Sequence, residues 1–142
     1  MRSTAAQDYQ SIPRAVAVMV KDFAAGSTTG RHFHRRGQVL YATSGLMLAQ
    51  TDAGAWAVPA SHALLIPPGL HHDIAMHGQV RMLTAYIAPA GWREIAPAEC
   101  RVIHVSRLLD AALEAICEEP LLYGARATSS RMTAASRAPR AP

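Results

Sequence analysis

The chain has 142 residues, enough for one domain with its own core, and half of them are hydrophobic. Its longest apolar runs, "AVAVMV", "GLMLA" and "HALLIPPG", fall well short of the ~20 residues that cross a bilayer, and "MRSTAAQDYQSIPR" has no apolar leader core, so neither a membrane partner nor a secretory signal is expected. The net charge of +4 is not a nucleic-acid signature: four of the 14 basic residues (Arg126, Arg131, Arg137 and Arg140) sit in an acid-free tail, and the rest of the chain balances 10 basic against 10 acidic residues.

In chain order, residues 1–12 are polar and read as a flexible arm. "RAVAVMVKDF" (14–23), rich in Val and Ala, reads as a strand, and "AAGSTTG" as a turn. "RHFH" and "QVLYATSG" read as two strands joined by "RRG". "LMLAQT" and "AWAVPA" flank "DAGA", a hairpin signal. "SHALLIPPG" is a strand stopped by Pro-Pro-Gly, "HDIAM" and "VRMLTAYIA" flank "HGQ" as a further hairpin, and "CRVIHV" (100–105) is the last strand. The period then changes. Leu108, Leu109, Ala112, Leu113 and Ile116 follow helical spacing behind Ser106, an N-cap residue, which predicts a helix over about 106–118. About nine strands followed by a helix make an all-β sandwich or barrel with a helical end. The division expected is an arm at 1–12, a barrel at 13–104, a helix and cap at 105–124, and a low-complexity, disordered basic tail at 125–142. Cys100 and Cys117 have no metal-type spacing and read as reduced thiols, which with the missing leader points to the cytoplasm.

The chemistry sits in two short segments. Side chains two apart on a strand share a face, so His32 and His34 project together while Phe33 points away. Gln38 follows the "RRG" turn and opens the next strand, and "PPGLHH" sets His71 and His72 just after a rigid turn. Three imidazoles and an amide oxygen form an acceptable ligand set for a divalent transition metal, zinc or nickel ahead of iron or manganese, whereas calcium and magnesium want oxygen ligands. Neutral Gln38 leaves the metal charge uncompensated, which favours an anionic or oxygen-bearing ligand at an open position. His62, His77 and His104 have no partner in the pattern and read as surface or strand histidines, and Arg35 and Arg36 read as a solvated turn.

These residues resemble the two cupin motifs. Gly26, His32, His34, Gln38 and Gly45 have every gap of the first, with glutamine in place of its glutamate. Ser61, Pro67, Gly69, His72 and Met76 have every gap of the second, with Ser61 for its glycine and Met76 for its asparagine. The resemblance implies a cupin fold, a double-stranded β-helix or jelly-roll barrel with one C-terminal α-helix. It assigns the metal to His32, His34, Gln38 and His72, and leaves His71 one place off. Residues 14–124 further resemble the N-terminal cupin domain of AraC-type transcriptional regulators, which typically carries "H-H-x-x-Q-x-x-Y", then "G-x-W-x-V-P", then an "IP-G-x-x-H" stretch, against "HFHRRGQVLY", "GAWAVP" and "IPPGLHH" here. That resemblance implies a small-molecule effector, a homodimer made through the helix after the barrel, and a DNA-binding domain of two helix-turn-helix units. No such second helical domain is legible here, so no sequence-specific DNA binding by this chain alone is expected. Tyr41, Trp56 and His71 are the candidate ligand contacts, although Tyr41 and Trp56 also read as packed strand residues.

Two functions compete at this stage. One is an effector-sensing cupin without DNA-reading helices; the other is a small metal-dependent cupin enzyme of the dioxygenase or isomerase class. No general acid or base is legible beyond the ligands, since Glu94 and Glu99 lie in the wrong segment and Asp73 alternates away from His72, which favours the sensor. A third reading is a truncated, inactive fragment.

Overall fold

The computed structural model describes residues 5–118, so the expected tail at 125–142 lies outside the described residues, as do residues 119–124. The strands are β1 (Val16–Phe23), β2 (Gly37–Thr51), β3 (Gly54–Pro59), β4 (His62–Ile66), β5 (His72–Ile87) and β6 (Arg101–His104). Two helices follow β5 and β6, α1 (Pro89–Ile95) and α2 (Arg107–Cys117). All six strands join one antiparallel sheet in the order β1-β5-β2-β4-β6, with β3 on β2, curved into a barrel.

Six strands replace the nine expected: two anticipated turns are bulges inside long strands, and "RHFH" forms no strand of its own. "QVLYATSG" and "LMLAQT" form the single 15-residue β2, and "HDIAM" and "VRMLTAYIA" form the single 16-residue β5. Gly45 and Gly78, at φ 78° and 76°, absorb the bends without reversing the chain. Between Ala42 and Leu46 the β2–β5 register slips twice. Leu40 and Ala42 therefore face the core before the slip, and Met47 and Ala49 after it. "RHFH" is not a regular strand; it meets β5 through one isolated bridge between His32 and His72.

Alternation along the strands separates two apolar layers. The barrel interior holds Leu40, Met47, Val58, Leu64, Ile74 and Met76. The outer face of the sheet presents Val18, Tyr41, Leu83 and Ala85 to α2, which covers them with Leu109, Leu113 and Ile116. Each such large apolar side chain contributes roughly 1.5–3 kcal/mol when fully buried. The Ser106 Oγ accepts the Leu109 N–H at 3.1 Å, so α2 starts at the expected N-cap. Leu108 belongs to the same sequence stripe, yet it is 81% exposed. The short α1, not read from the sequence, seats the buried Trp92 against Gly37, where a Cβ would overlap the indole ring.

The segment expected to be a loose arm is packed where it is described. A 3-10 turn at Ala6–Tyr9 buries Tyr9 completely, its ring 5.8 Å from that of Tyr86. Arg36 is likewise not a solvated turn residue but 5% exposed. Its Nε donates to the Gln10 carbonyl at 3.1 Å and its Nη2 to the Ile12 carbonyl at 2.8 Å, while its backbone N–H donates to Gln10 Oε1. Buried guanidinium donors need acceptors, and the N-terminal carbonyls supply them for Nε and Nη2, while the buried Nη1 has none among the described residues.

Ser61, at the place where the cupin motif has glycine, sits at φ 69°, the one non-glycine residue with positive φ among the described residues. A side chain there is strained by roughly 1–2 kcal/mol, partly offset by the freedom glycine has when unfolded. Ser61→Gly is therefore expected to raise stability by about 0.5–1 kcal/mol. A melting temperature unchanged or lowered in the variant would contradict this.

Candidate metal and effector site

The site is built where residues 26–34 lie alongside the first half of β5. Thr29 N–H donates to the Ile74 carbonyl, and His32 and His72 exchange both backbone hydrogen bonds, at 2.9 and 2.8 Å. They are direct cross-strand partners, and such pairs bring side chains of one face together. Gly69 N–H donates to the His34 carbonyl at 2.8 Å, so the Pro-Pro-Gly turn fastens the two motifs to each other. One potential ligand atom from each of His32, His34 and His72 lies within 4.8 Å of the others. The ring centroids are 4.7 Å apart for His32–His34, 4.3 Å for His32–His72 and 5.3 Å for His34–His72.

The tautomers are set by backbone carbonyls. His32 Nδ1–H donates to the Gly30 carbonyl at 2.7 Å and His72 Nδ1–H to the Leu70 carbonyl at 2.9 Å. A carbonyl only accepts, so in each neutral ring Nε2 carries the free lone pair. His72 is buried, and its Nε2 has no hydrogen-bond partner; nor has the buried Oε1 of Gln38. Burial, then the neighbouring His32 and His72, hold the His34 imidazole at a pKa of about 4. Burial also leads for His72, held at about 4 although its bond to Leu70 works the other way. Both rings are therefore neutral near pH 7, the form that ligates metals. Orphaned acceptors on neutral rings and an amide oxygen are compatible with a divalent transition metal; they do not select one metal.

His32, His34 and Gln38 line a cavity of about 280 Å³ that continues past them to Tyr86. The His34 ring lies edge-on to Tyr86 at 5.3 Å, and burial raises the Tyr86 phenol well above its ordinary range, so it stays protonated. The other three candidates sit elsewhere. Tyr41 is on the outer face of β2, packed beneath α2 in the layer of Val18 and Leu83, with its phenol raised by burial and then by Asp110. Trp56 packs on the barrel core and lines a separate shallow groove with Gln50 and Asp73. His71 turns outward, its ring 4.8 Å from that of Phe33. His62 and His104, unpartnered in the sequence pattern, are cross-strand neighbours with rings 5.4 Å apart.

Lys21 and Tyr86 line the cavity and were not singled out from the sequence. The signal was available: Lys21 is in phase with Met19 and Phe23 on β1, and Tyr86 with His72 on β5.

A family model described as the AraC-like ligand binding domain matches residues 22–136. The chain belongs to this family. The AraC-like domain here is 26% identical over 117 residues to the HTH-type transcriptional regulator NimR of Escherichia coli, covering 82% of this chain and 39% of that protein. The chain thus spans about two-fifths of the length of that curated relative. Among solved structures, unsaturated fatty acid-bound ToxT of Vibrio cholerae matches with a TM-score of 0.57 at 10% identity, over 77% of this chain and 48% of ToxT. A cupin superfamily protein of Desulfitobacterium hafniense matches with a TM-score of 0.50 at 18% identity, over 55% of this chain and 72% of that protein. These likenesses show that the AraC-like domain has the cupin fold. Among the described residues, no helix is long and apolar enough to cross a membrane.

Proposed function

We propose that this chain is an effector-sensing cupin of the AraC-like type, in which His32, His34, Gln38 and His72 hold a divalent transition metal beside the effector cavity. The observation that carries the reading is the convergence of three histidines within 4.8 Å, two of them (His32 and His34) lining that cavity, with His72 Nε2 and Gln38 Oε1 left without partners. A metal bound there would supply a Lewis-acidic open position that orders an oxygen-bearing ligand. The protein's own part is to fix the ring orientations through Gly30 and Leu70, and to shield the site with Tyr86 and the N-terminal turn. The test is elemental analysis of protein purified without a nickel column, followed by zinc titration. About one ion per chain is expected, and a content near zero after titration would remove the metal from this reading.

A metal-dependent oxidoreductase or isomerase is the second reading, since cupin neighbours include a Bacillus subtilis oxalate decarboxylase variant with a TM-score of 0.50 at 17% identity. No carboxylate lines the cavity among the described residues, which is the reason for preferring the sensor. Consumption of oxygen with a small substrate would reverse that preference. Binding of one particular DNA duplex by this chain alone is not expected, and a salt-resistant preference for one duplex over random DNA would contradict it.

Dimerisation through α2 belongs to the same proposal. Its outward side carries the 81%-exposed Leu108 with the exposed Ala111, Ala112 and Ala115, a small-residue surface on which a second helix packs closely. Light scattering at micromolar concentration is expected to give twice the monomer mass. Leu108→Glu is expected to return the monomer, weakening association by about 2 kcal/mol or more, because a charge then sits in an apolar contact. Monomer mass for the unaltered chain would end the dimer proposal.

A further inference from the structure

We infer that the cavity beside the three histidines takes a small organic carboxylate with an apolar body, and that Lys21 is the residue that holds the carboxylate. The inference rests on the small-molecule reading above and asks what chemistry the cavity walls select.

The first argument is charge. Lys21 lines the cavity, and no Asp or Glu does among the described residues. Nearby carboxylates are engaged or face away: Asp22, next on β1, lies 3.9 Å from Arg81, and Asp52 lies 2.9 Å from Arg31. Asp73 follows His72 on β5 and so lies on the opposite face, where it lines another groove. Lys21 therefore has no ion-pair partner among the described residues. Its Nζ stands 5.1 Å from the centre of the Phe23 ring, which holds the ammonium along the cavity wall. A half-buried ammonium without a counter-ion, in a cavity with no negative wall, attracts anions and repels cations.

The second argument is the remaining surface. Met19, Phe23, Leu40, Ile74 and Met82 make an apolar lining. A polyol would set its hydroxyls against these side chains unpaired, at roughly 1–3 kcal/mol each. An anion with an apolar body places both of its parts well. Phosphate fits less well than carboxylate, because it seeks several donors at once and Lys21 is a single point charge. Of the lining hydroxyls (Thr28, Thr29 and Tyr86), Thr29 Oγ1 is already engaged by Ile74 N–H and the Gly30 carbonyl. The volume of about 280 Å³ lies just below the ~300–1,000 Å³ of sites for drug-sized ligands, so the body is one ring or a short chain.

The experiment titrates phenylacetate against phenylacetamide, and hexanoate against hexanamide, into zinc-free and zinc-loaded protein, followed by amide NMR shifts. The acids are expected to bind about tenfold tighter than the amides in both forms. Lys21→Met is expected to abolish that preference in zinc-free protein, with melting temperature and zinc content unchanged, and Lys21→Arg to keep it. Amides that bind as well as acids, or a preference that survives Lys21→Met without zinc, overturn the inference and leave the small-molecule reading standing. A preference seen only with zinc assigns the carboxylate to the metal and overturns the role of Lys21. If neither member of either pair binds at millimolar concentration, the small-molecule reading falls as well.

Discussion

His34→Ala is expected to weaken zinc binding by at least about 100-fold, or ~2.7 kcal/mol, with the barrel intact. Loss of a group that merely orients a ligand costs 10–100-fold in metal affinity, so loss of a ligand itself lies at or beyond the top of that range. His32, His72 and Gln38 would remain, but a site of two imidazoles and a neutral amide lacks both the donor number and the charge to hold a divalent ion well. The fold is spared for a separate reason. His34 belongs to neither the barrel interior nor the layer under α2, and its link to Gly69 runs through its backbone carbonyl. Elemental analysis paired with thermal melting in chelator reads both halves. Equal metal uptake by wild type and His34→Ala would show that the three rings are plain cavity lining.

Acidification is expected to undo the metal-free protein in a window set by the same rings. His34 and His72 bind protons at about 4 when folded, against 6.5 for an ordinary histidine. Between those values the unfolded chain takes up protons that the folded chain refuses, so stability falls as pH falls. The contribution is fully present above pH 6.5 and drains away toward pH 4. Each tenfold difference in proton affinity corresponds to 1.36 kcal/mol; allowing for the partial exposure of His34, the two rings together account for a loss on the order of 3 kcal/mol between pH 7 and 4.5. The measurement is the urea midpoint as a function of pH. Zinc at 100 times its dissociation constant should add about 2.7 kcal/mol at pH 7 and less on acidification, because protons compete for the same nitrogens. A zinc-free midpoint flat from pH 7 to 5 would mean that the rings are not held neutral by the fold.

Much of the site was legible in two spacings. His32 and His34 share a face by strand alternation, and the Pro-Pro-Gly turn delivers His72 to them. The same alternation argues against Tyr41 as a cavity residue, since it is out of phase with Gln38 on β2; its place under α2 follows from that parity. Lys21 was legible in phase but not in chemistry, because a lone lysine on a strand normally marks solvent. Arg36 and Tyr9 were not legible, because their partners are 24–77 residues away and neither segment carries local periodicity. Two of the three missing strands were lost for one physical reason. Glycine with polar neighbours signals a reversal, but in "ATSGL" and "HGQV" the positive φ is used to bend a strand that continues. The helix and the β2–β3 hairpin were legible because Ser106 and the Asp52-Ala53 connection act within a few residues.

The bonds from Arg36 to Gln10 and Ile12 bear on how much chain must be present for the barrel to close. Removing everything before β1 would strip the acceptors from a guanidinium that lies two residues from Gln38, and would bare the ring of Tyr86 that lies against His34. The smallest autonomous folding unit therefore begins upstream of the sheet. A peptide that starts at the first strand would hold every predicted metal ligand and still lack one wall of the chamber in which they work.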